Sequence, residues 1–329
     1  MRFPRLRRGS TVALAAITAL TLTAAACGGS DSGQPSANGL EKTDLTVGTL
    51  PVADFAALQL AINQGLFKAE GLNVKTQVLQ GGAEAIPRLK SGNLDVAAGA
   101  YVPFFQAQGQ GVIKLRIVAD AFQSAAGTHV VLVAKDSQIH TLKDLEGKKV
   151  GVNVKRNLAS LLMQAISQPQ GVRLDEDRDF IPVAFPDMEN ALRNGSVDAV
   201  QAVEPFNTQL QKSIGARMLA DTSQGQTADF PISGYATTQE FAEKNPKTVA
   251  ALQRALVKAQ GMLSDRKTLE QTIPTYTRID AKTAASLHFG TFPTSLSTTR
   301  LQRVADIMQR YGYLTKPIDV KTLVSESAG

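Results

Sequence analysis

A nine-residue phrase occurs twice in this chain, and the repetition limits which folds the chain can adopt. The first copy, LKSGNLDVA, occupies residues 89–97, and the second, LRNGSVDAV, occupies residues 192–200. A leucine, a basic residue, a glycine and an aspartate match position by position. The separation exceeds the ~20–50 residues of a solenoid repeat. We therefore predict two similar lobes that each use the phrase at the same structural place.

The sequence around each copy alternates between strand-like and helix-like patterns. In both halves a short apolar strand pattern runs into a helix pattern, and the phrase covers the end of a helix and the start of a buried strand. Gly92 and Gly195 are predicted to end these two helices. This alternation predicts an α/β fold in which each lobe is a mainly parallel sheet flanked by helices.

The last third of the chain is mostly helical, with too few strand patterns for a third lobe. We predict that residues 45–135 begin the first lobe, that 136–232 form the second, and that 233–329 complete the first and add C-terminal helices. The chain would then cross between the lobes twice, near Lys135 and near Ile232. Two crossings predict a hinge beside a central cleft.

The first 26 residues have the pattern of an export signal. Four arginines precede the uncharged run TVALAAITALTLTAAA, which is shorter than the ~20 residues of a membrane-spanning helix and ends in small residues. Cys27, the only cysteine, follows at once and resembles the acylated first residue of bacterial lipoproteins. We predict a signal peptide over residues 1–26, lipidation at Cys27 and a flexible tether over residues 27–44.

Charge and motif content exclude several classes of protein. The chain has 35 basic and 29 acidic residues, and four of the basic ones belong to the predicted signal, so the remainder is nearly neutral and predicts no nucleic-acid partner. The sequence contains no nucleophile, phosphate-loop or zinc motif, and its three histidines are far apart. We predict no catalytic residue, no metal and no cofactor.

Five phrases, in order, resemble the extracytoplasmic solute-binding proteins of ABC importers. They are NQGLFKAEGLNV, LKSGNLDVAAGA, LKDLEGKKVGVNV, ALRNGSVDAVQAVEPF and GYATTQEFAEKNPKTVAAL. The resemblance is to the nitrate, sulfonate and taurine group, and the chain is also similar to proteins that bind thiamine pyrimidine precursors. It implies a two-lobed, type II-like periplasmic-binding-protein fold that closes on a small solute. It further implies a monomer, lipid-anchored outside the cell membrane, with permease and ATPase partners.

The same fold also serves an enzyme, the fungal pyrimidine synthase of thiamine biosynthesis. That enzyme consumes an active-site histidine and carries a cysteine-rich iron-binding segment, whereas the single cysteine here lies at the predicted lipidation site. We therefore predict a binding protein and keep the enzyme as the alternative.

Candidate ligand contacts come from the turns where strands lead into helices. Open α/β sheets bind ligands beyond the carboxyl ends of their strands, where helix N-termini offer N–H groups. The predicted ligand-binding residues are Asp54, Phe55, Gly81, Gly82, Ala100, Tyr101, Asn153, Arg156, Asn157, Asp187, Glu204, Phe206 and Ile232.

The charged candidates suit two different classes of ligand. Arg156 and the helix N-termini suit a sulfonate or another oxyanion, whereas Asp54, Asp187 and Glu204 suit an amine or the N–H groups of a heterocycle. Asp54 and Asp187 equally suit helix caps. A small zwitterion would use both signs, and a pyrimidine precursor would rely on the carboxylates and aromatic rings. The sequence leaves the ligand open.

Overall fold

The computed structural model describes residues 39–325. The predicted signal peptide, Cys27 and most of the predicted tether lie outside this range. The strands are β1 (Asp44–Thr49), β2 (Asn73–Val78), β3 (Val96–Ala100), β4 (Leu115–Gln123), β5 (His129–Val133), β6 (Val150–Val152), β7 (Phe180–Pro182), β8 (Ala199–Val203), β9 (Arg217–Asp221) and β10 (Pro231–Thr238).

The helices surround these strands, and none within residues 39–325 is both long and apolar enough to cross a membrane. They are α1 (Ala56–Asn63), α2 (Leu66–Ala69), α3 (Gly82–Lys90), α4 (Tyr101–Gly109), α5 (Leu158–Ser167), α6 (Met188–Arg193), α7 (Phe206–Ile214), α8 (Gln239–Lys244), α9 (Pro246–Met262), α10 (Arg266–Thr272), α11 (Ala281–Ala284) and α12 (Thr298–Arg310).

Two five-stranded sheets form the centres of two lobes. The first sheet has the order β2-β1-β3-β10-β4, and the second has the order β7-β6-β8-β5-β9. The orders correspond strand for strand: β3 and β8, which carry the repeated phrase, each occupy the middle position. This confirms the prediction of an α/β fold with two similar lobes.

Both sheets are mixed, which corrects the prediction of mainly parallel sheets. In the first sheet β2, β1 and β3 run parallel, and β10 lies antiparallel between β3 and β4. In the second sheet β7, β6 and β8 run parallel, and β5 lies antiparallel between β8 and β9. The reason lies in the crossings. The parallel strands end at the cleft, so β5 and β10, which the chain enters from the other lobe, begin at the cleft and run the opposite way.

The first crossing lies earlier than predicted. Because β5 pairs with β8, the chain has left the first lobe between Gln123 and His129, before Lys135. It returns between Asp221 and Pro231, since β10 already pairs with β3. The apolar segment HVVLVA follows β4 closely and has the same composition, so the sequence alone did not separate the two strands.

The repeated phrase occupies the same structural place in both lobes. Gly92 and Gly195 have φ values of 75° and 71°, the left-handed backbone that ends α3 and α6 and that favours glycine. The carboxylate of Asp95 accepts a hydrogen bond from the backbone N–H of Thr46 at 2.9 Å, and that of Asp198 accepts one from Lys149 at 2.8 Å. Each aspartate thus ties its strand to the start of the neighbouring strand.

The second sheet is covered on both faces. Alternate residues of β5 belong to two separate apolar clusters, with Val131 and Val133 in one and Val130 and Leu132 in the other. Period-two alternation explains this split, since successive side chains of a strand point to opposite faces. Both faces of the sheet are therefore packed against apolar side chains.

The predicted tether is shorter than residues 27–44. Leu40 is buried, the Glu41 carboxylate accepts a hydrogen bond from the N–H of Thr248 at 2.9 Å, and the Lys42 ammonium pairs with Asp95 at 2.7 Å. Residues 40–42 consequently pack on the first lobe, and any tether ends before Leu40.

Candidate functional site

A cavity lies between the two sheets, where the parallel strands end. It encloses about 60 Å³, which is enough for roughly four or five water-sized groups because one water needs about 10–15 Å³ on this measure. Most of the predicted ligand-binding residues line it: Asp54, Phe55, Gly81, Gly82, Ala100, Asn153, Asn157 and Ile232. The lining residues that the sequence analysis did not select are Leu50, Val52, His129, Leu158, Ala159, Phe185, Gln201, Val203 and Ser233.

Two glycines bring the walls of the cavity close together. A methyl group at Gly81 would lie 2.8 Å from Cγ2 of Val154 in the second lobe, and one at Gly82 would lie 2.7 Å from the ring of Pro103. Carbon atoms do not approach so closely, so any larger residue at Gly81 would push the lobes apart. Both positions use the small size of glycine, since neither has a positive φ.

Three helix N-termini meet at the cavity. Gly81 and Gly82 begin α3, Ala100 precedes α4, and Asn157 caps α5. Helix N-termini carry free N–H groups and a partial positive charge. The cavity therefore offers hydrogen-bond donors to an acceptor on a ligand, although no lysine or arginine lines it within the described residues.

Asp54 is the acidic group of the cavity. It lies in the 3-10 turn Ala53–Phe55 that follows β1, and its carboxylate accepts a hydrogen bond from the Ser233 hydroxyl at 3.2 Å. Burial, partly opposed by that hydrogen bond, raises the pKa of Asp54 from 3.8 to about 7. Asp54 does not cap the turn with its side chain, so the helix-cap interpretation is wrong and its carboxylate faces the cavity.

His129 and Gln201 come from the second sheet. His129 begins β5 opposite Val203, and Gln201 lies two residues before Val203 on β8, so all three side chains share one face. Burial lowers the pKa of His129 to about 3, which keeps the imidazole neutral at physiological pH. The sequence signal for both residues was a single polar side chain within an otherwise apolar strand, which usually means a hydrogen-bonded site.

Tyr101 and Arg156 do not line the cavity. The Tyr101 hydroxyl donates to the Asp120 carboxylate at 2.8 Å inside the first lobe, and its ring stacks on Phe105. The Arg156 guanidinium pairs with Asp177 at 3.2 Å and is mostly exposed. Arg156 has a φ of 51°, a left-handed backbone that the sequence did not reveal. The predicted cation for an oxyanion is thus absent from the cavity.

Asp187, Glu204 and Phe206 lie around the cavity and not in its lining. Asp187 is exposed and occupies the N-cap position of α6, as the helix-cap interpretation predicts, but its side chain makes no cap bond. Phe206 stacks on Phe185 with ring centroids 5.4 Å apart. It lines an outer groove of about 880 Å³ that shares Leu50 and Phe185 with the cavity.

Glu204 connects the lobes beside the cavity. One carboxylate oxygen accepts hydrogen bonds from the Thr208 hydroxyl at 2.8 Å and from the backbone N–H of His288 at 2.9 Å. Its backbone carbonyl accepts from the N–H of Ala53 at 3.0 Å. Burial raises the pKa of Glu204. These contacts join β8 of the second lobe to two segments of the first.

The lobes are closed on each other in this structure. On the opposite side of the cavity, the Gln106 side chain of α4 donates to the backbone carbonyl of Arg156 at 3.0 Å. The Tyr313 hydroxyl of the first lobe donates to the Ser160 hydroxyl of α5 at 2.8 Å. These contacts bring the two lobes together around the cavity, which stays partly open to solvent. Among the described residues no cluster of His, Asp or Glu could hold a metal ion.

Curated proteins of similar sequence include a nitrate import ATP-binding protein and two putative binding proteins. The nitrate import ATP-binding protein NrtC of Synechocystis sp. is 26% identical over 70% of this chain and 36% of that protein. The putative binding protein YtlA of Bacillus subtilis is 25% identical over 63% of this chain and 61% of that protein. The chain thus spans less than two thirds of these relatives. The putative aliphatic sulfonates-binding protein of Escherichia coli is 24% identical over 73% and 75% of the two chains.

Solved structures share the fold. The periplasmic aliphatic sulphonate binding protein SsuA of Escherichia coli matches with a TM-score of 0.68 and 20% identity over 86% of this chain and 97% of that one. The nitrate-binding protein NrtA of Synechocystis matches with 0.71 and 16% over 86% and 85%. The desulfurization enzyme DSZB matches with 0.62 and 17% over 86% and 96%. The fold is therefore that of periplasmic binding proteins, and it also occurs in an enzyme.

A family model identifies the family of this chain. The model described as NMT1-like family matches residues 38–275, which include both sheets and every residue of the cavity. The chain belongs to the NMT1-like family.

Proposed function

We propose that this protein is the substrate-binding component of an ABC importer. It captures one small polar solute between its lobes and delivers the solute to a membrane permease driven by an ATPase. One observation carries the proposal: a small cavity is lined by side chains from both lobes, so a ligand there favours the closed form. The sulfonate- and nitrate-binding relatives support the same class of function.

The mechanism follows from the cavity walls. Asp54 and Ser233 belong to the first lobe, whereas Asn153 and Gln201 belong to the second. A solute that bonds to both sets adds contacts only when the lobes are closed, and differential affinity of this kind shifts the equilibrium towards closure. The sulfonate- and nitrate-binding relatives favour capture of the solute over its chemical conversion, so we propose a receptor and not an enzyme.

The location of the receptor is part of the proposal. The sequence pattern before residue 39 supports export and acylation at Cys27, which would hold the protein at the outer face of the cell membrane. A short tether would keep the receptor near its permease while the two lobes remain free to open and close. We propose a monomer, since each chain contains a complete cavity.

Thermal unfolding with a solute panel tests the proposal. The full chain is expressed, purified as the cell processes it, and heated with taurine, alkanesulfonates, nitrate, small amides and a thiamine pyrimidine. A ligand at a hundred times its Kd stabilises by about 2.7 kcal/mol, which raises the Tm by several degrees.

A matched pair of variants assigns the effect to the cavity. Asn153→Ala removes an amide from the lining, whereas Asn190→Ala removes an exposed amide on α6. We expect the ligand-dependent rise in Tm to shrink in the first variant and to persist in the second. A rise that both variants retain in full would place the ligand elsewhere and contradict the proposal.

A further inference from the structure

The hydrogen bonds around His129 fix which of its ring nitrogens carries the proton. Nδ1 lies 3.1 Å from the Thr128 hydroxyl oxygen. That hydroxyl donates its one proton to the carbonyl of Ala125 at 2.7 Å, so towards His129 it can only accept. Because the imidazole is neutral, Nδ1 holds the proton and Nε2 holds a lone pair. Nε2 has no hydrogen-bond partner among the described residues, so His129 offers the cavity an acceptor.

Gln201 supplies an unpaired side-chain amide, which carries a donor as well as an acceptor. Its side chain is 1% exposed, and its Nε2 is a buried donor without a partner in the described part of the chain. A buried unpaired donor costs about 1–3 kcal/mol, and native structures rarely keep one without a reason. Gln201 lines the cavity, so a ligand acceptor placed there would remove the cost.

Two further residues add a hydrogen-bond donor and an acceptor to the cavity. The Oδ1 atom of Asn157 accepts from the N–H of Leu158 at 2.7 Å, which leaves its Nδ2 as a donor. The carboxyl of Asp54 receives only the Ser233 hydroxyl at 3.2 Å from another side chain, which leaves acceptor capacity facing the cavity. The cavity therefore presents acceptors from Asp54 and His129, and donors from Gln201 and Asn157.

A ligand that satisfies this arrangement must carry N–H donors and an acceptor within a few atoms of each other. An oxyanion has only acceptors, so it would leave His129 unpaired and would place negative charge beside Asp54 without any lining lysine or arginine. We propose that the cavity recognises an uncharged solute group of the amide or urea type, with His129 and Gln201 as specificity-determining residues. This inference rests on the proposed receptor function and names its substrate class.

Pairs of molecules with the same shape and different charge test the inference. Urea and nitrate are both planar and trigonal, acetamide matches acetate, and methanesulfonamide matches methanesulfonate. Calorimetric titration of the full chain, purified as the cell processes it, should show the uncharged member of the pairs binding about tenfold or more tightly than the anion, because each unmade buried hydrogen bond costs that much.

Substitutions of Gln201 and Asp54 test whether these side chains contact the solute. Gln201→Glu replaces a donor by an acceptor of the same shape and should weaken binding of the uncharged member about tenfold or more. Gln170→Glu makes the same change at an exposed site of the second lobe and should leave binding unchanged. Asp54→Asn replaces an acceptor by a donor, so the preference over the anion should fall.

The outcomes separate this inference from the receptor proposal. An anion that binds more tightly than its uncharged partner would overturn the inference and leave the receptor function standing. Binding that Gln201→Glu does not affect would overturn the roles given to the cavity residues. If no member of any pair binds, the inference fails, and the receptor proposal fails with it only if the wider solute panel also leaves the Tm unchanged.

Discussion

Asp54→Asn should change how the stability of the protein depends on pH. The Asp54 side chain is 6% exposed, and burial raises its pKa from 3.8 to about 7. A carboxyl whose pKa is higher in the folded state binds its proton more tightly there than in the unfolded chain. Its contribution to stability is therefore complete below about pH 4 and is lost as the pH rises through about 7.

The size of the effect follows from the shift. A difference of about three pKa units corresponds to about 4 kcal/mol, which the wild type loses between about pH 4 and pH 8. The asparagine side chain of the variant cannot ionise, so the variant does not suffer this loss. At about 2 °C per kcal/mol for a chain of this length, the Tm of the variant should gain about 8 °C relative to the wild type across that range.

The assay is thermal unfolding of both proteins, free of ligand, at several pH values and fixed salt. Other buried titrating groups such as His129 and Asp120 are present in both proteins, so their contributions cancel in the difference. A Tm difference that stays constant from about pH 4 to pH 8 would refute the reasoning. It would mean that the Asp54 carboxyl is well solvated and not buried between the lobes.

Three other substitutions have defined outcomes. Arg156→Ala should leave solute affinity unchanged in a calorimetric titration, because the Arg156 guanidinium lies outside the cavity. A large loss of affinity would show that Arg156 contacts the solute. Gly81→Val should weaken binding about tenfold or more, since its Cβ would lie 2.8 Å from Val154 and hold the lobes apart; unchanged affinity would show that closure tolerates the added bulk. Arg300→Ala should lower stability by about 3 kcal/mol at pH 8, because it leaves the buried Asp120 carboxylate without its ion pair. That cost should shrink near pH 5, where Asp120 can be protonated, and denaturant unfolding at both pH values measures it.

The turns that follow the strands were predictable from sequence because their chemistry is local. Gly81, Gly82 and Asn157 stand between a strand pattern and a helix pattern, and parallel sheets gather such turns at one edge. The repeated phrase added the symmetry between the lobes. These local signals were sufficient to predict about half of the residues that line the cavity.

His129 and Gln201 were not predictable in the same way. Each is one polar residue inside an apolar strand, and its role depends on which sheet the strand joins and which strand lies opposite. β5 joins the second sheet after a short crossing, and only that pairing places His129 opposite Val203. The sequence did not predict the position of Arg156 for a related reason, since its left-handed backbone and its pairing with Asp177 depend on the fold of its loop.

Native mass spectrometry of the protein with the three pairs of solutes, followed by recovery of whatever is bound, tests directly whether the cavity is a solute site. We expect one uncharged solute per chain, held at micromolar protein concentration and recovered chemically unchanged after long incubation. Recovery of an altered molecule would show turnover and contradict the receptor function. A chain that carries no small molecule under any of these conditions would contradict the claim that the closed cavity is a solute site.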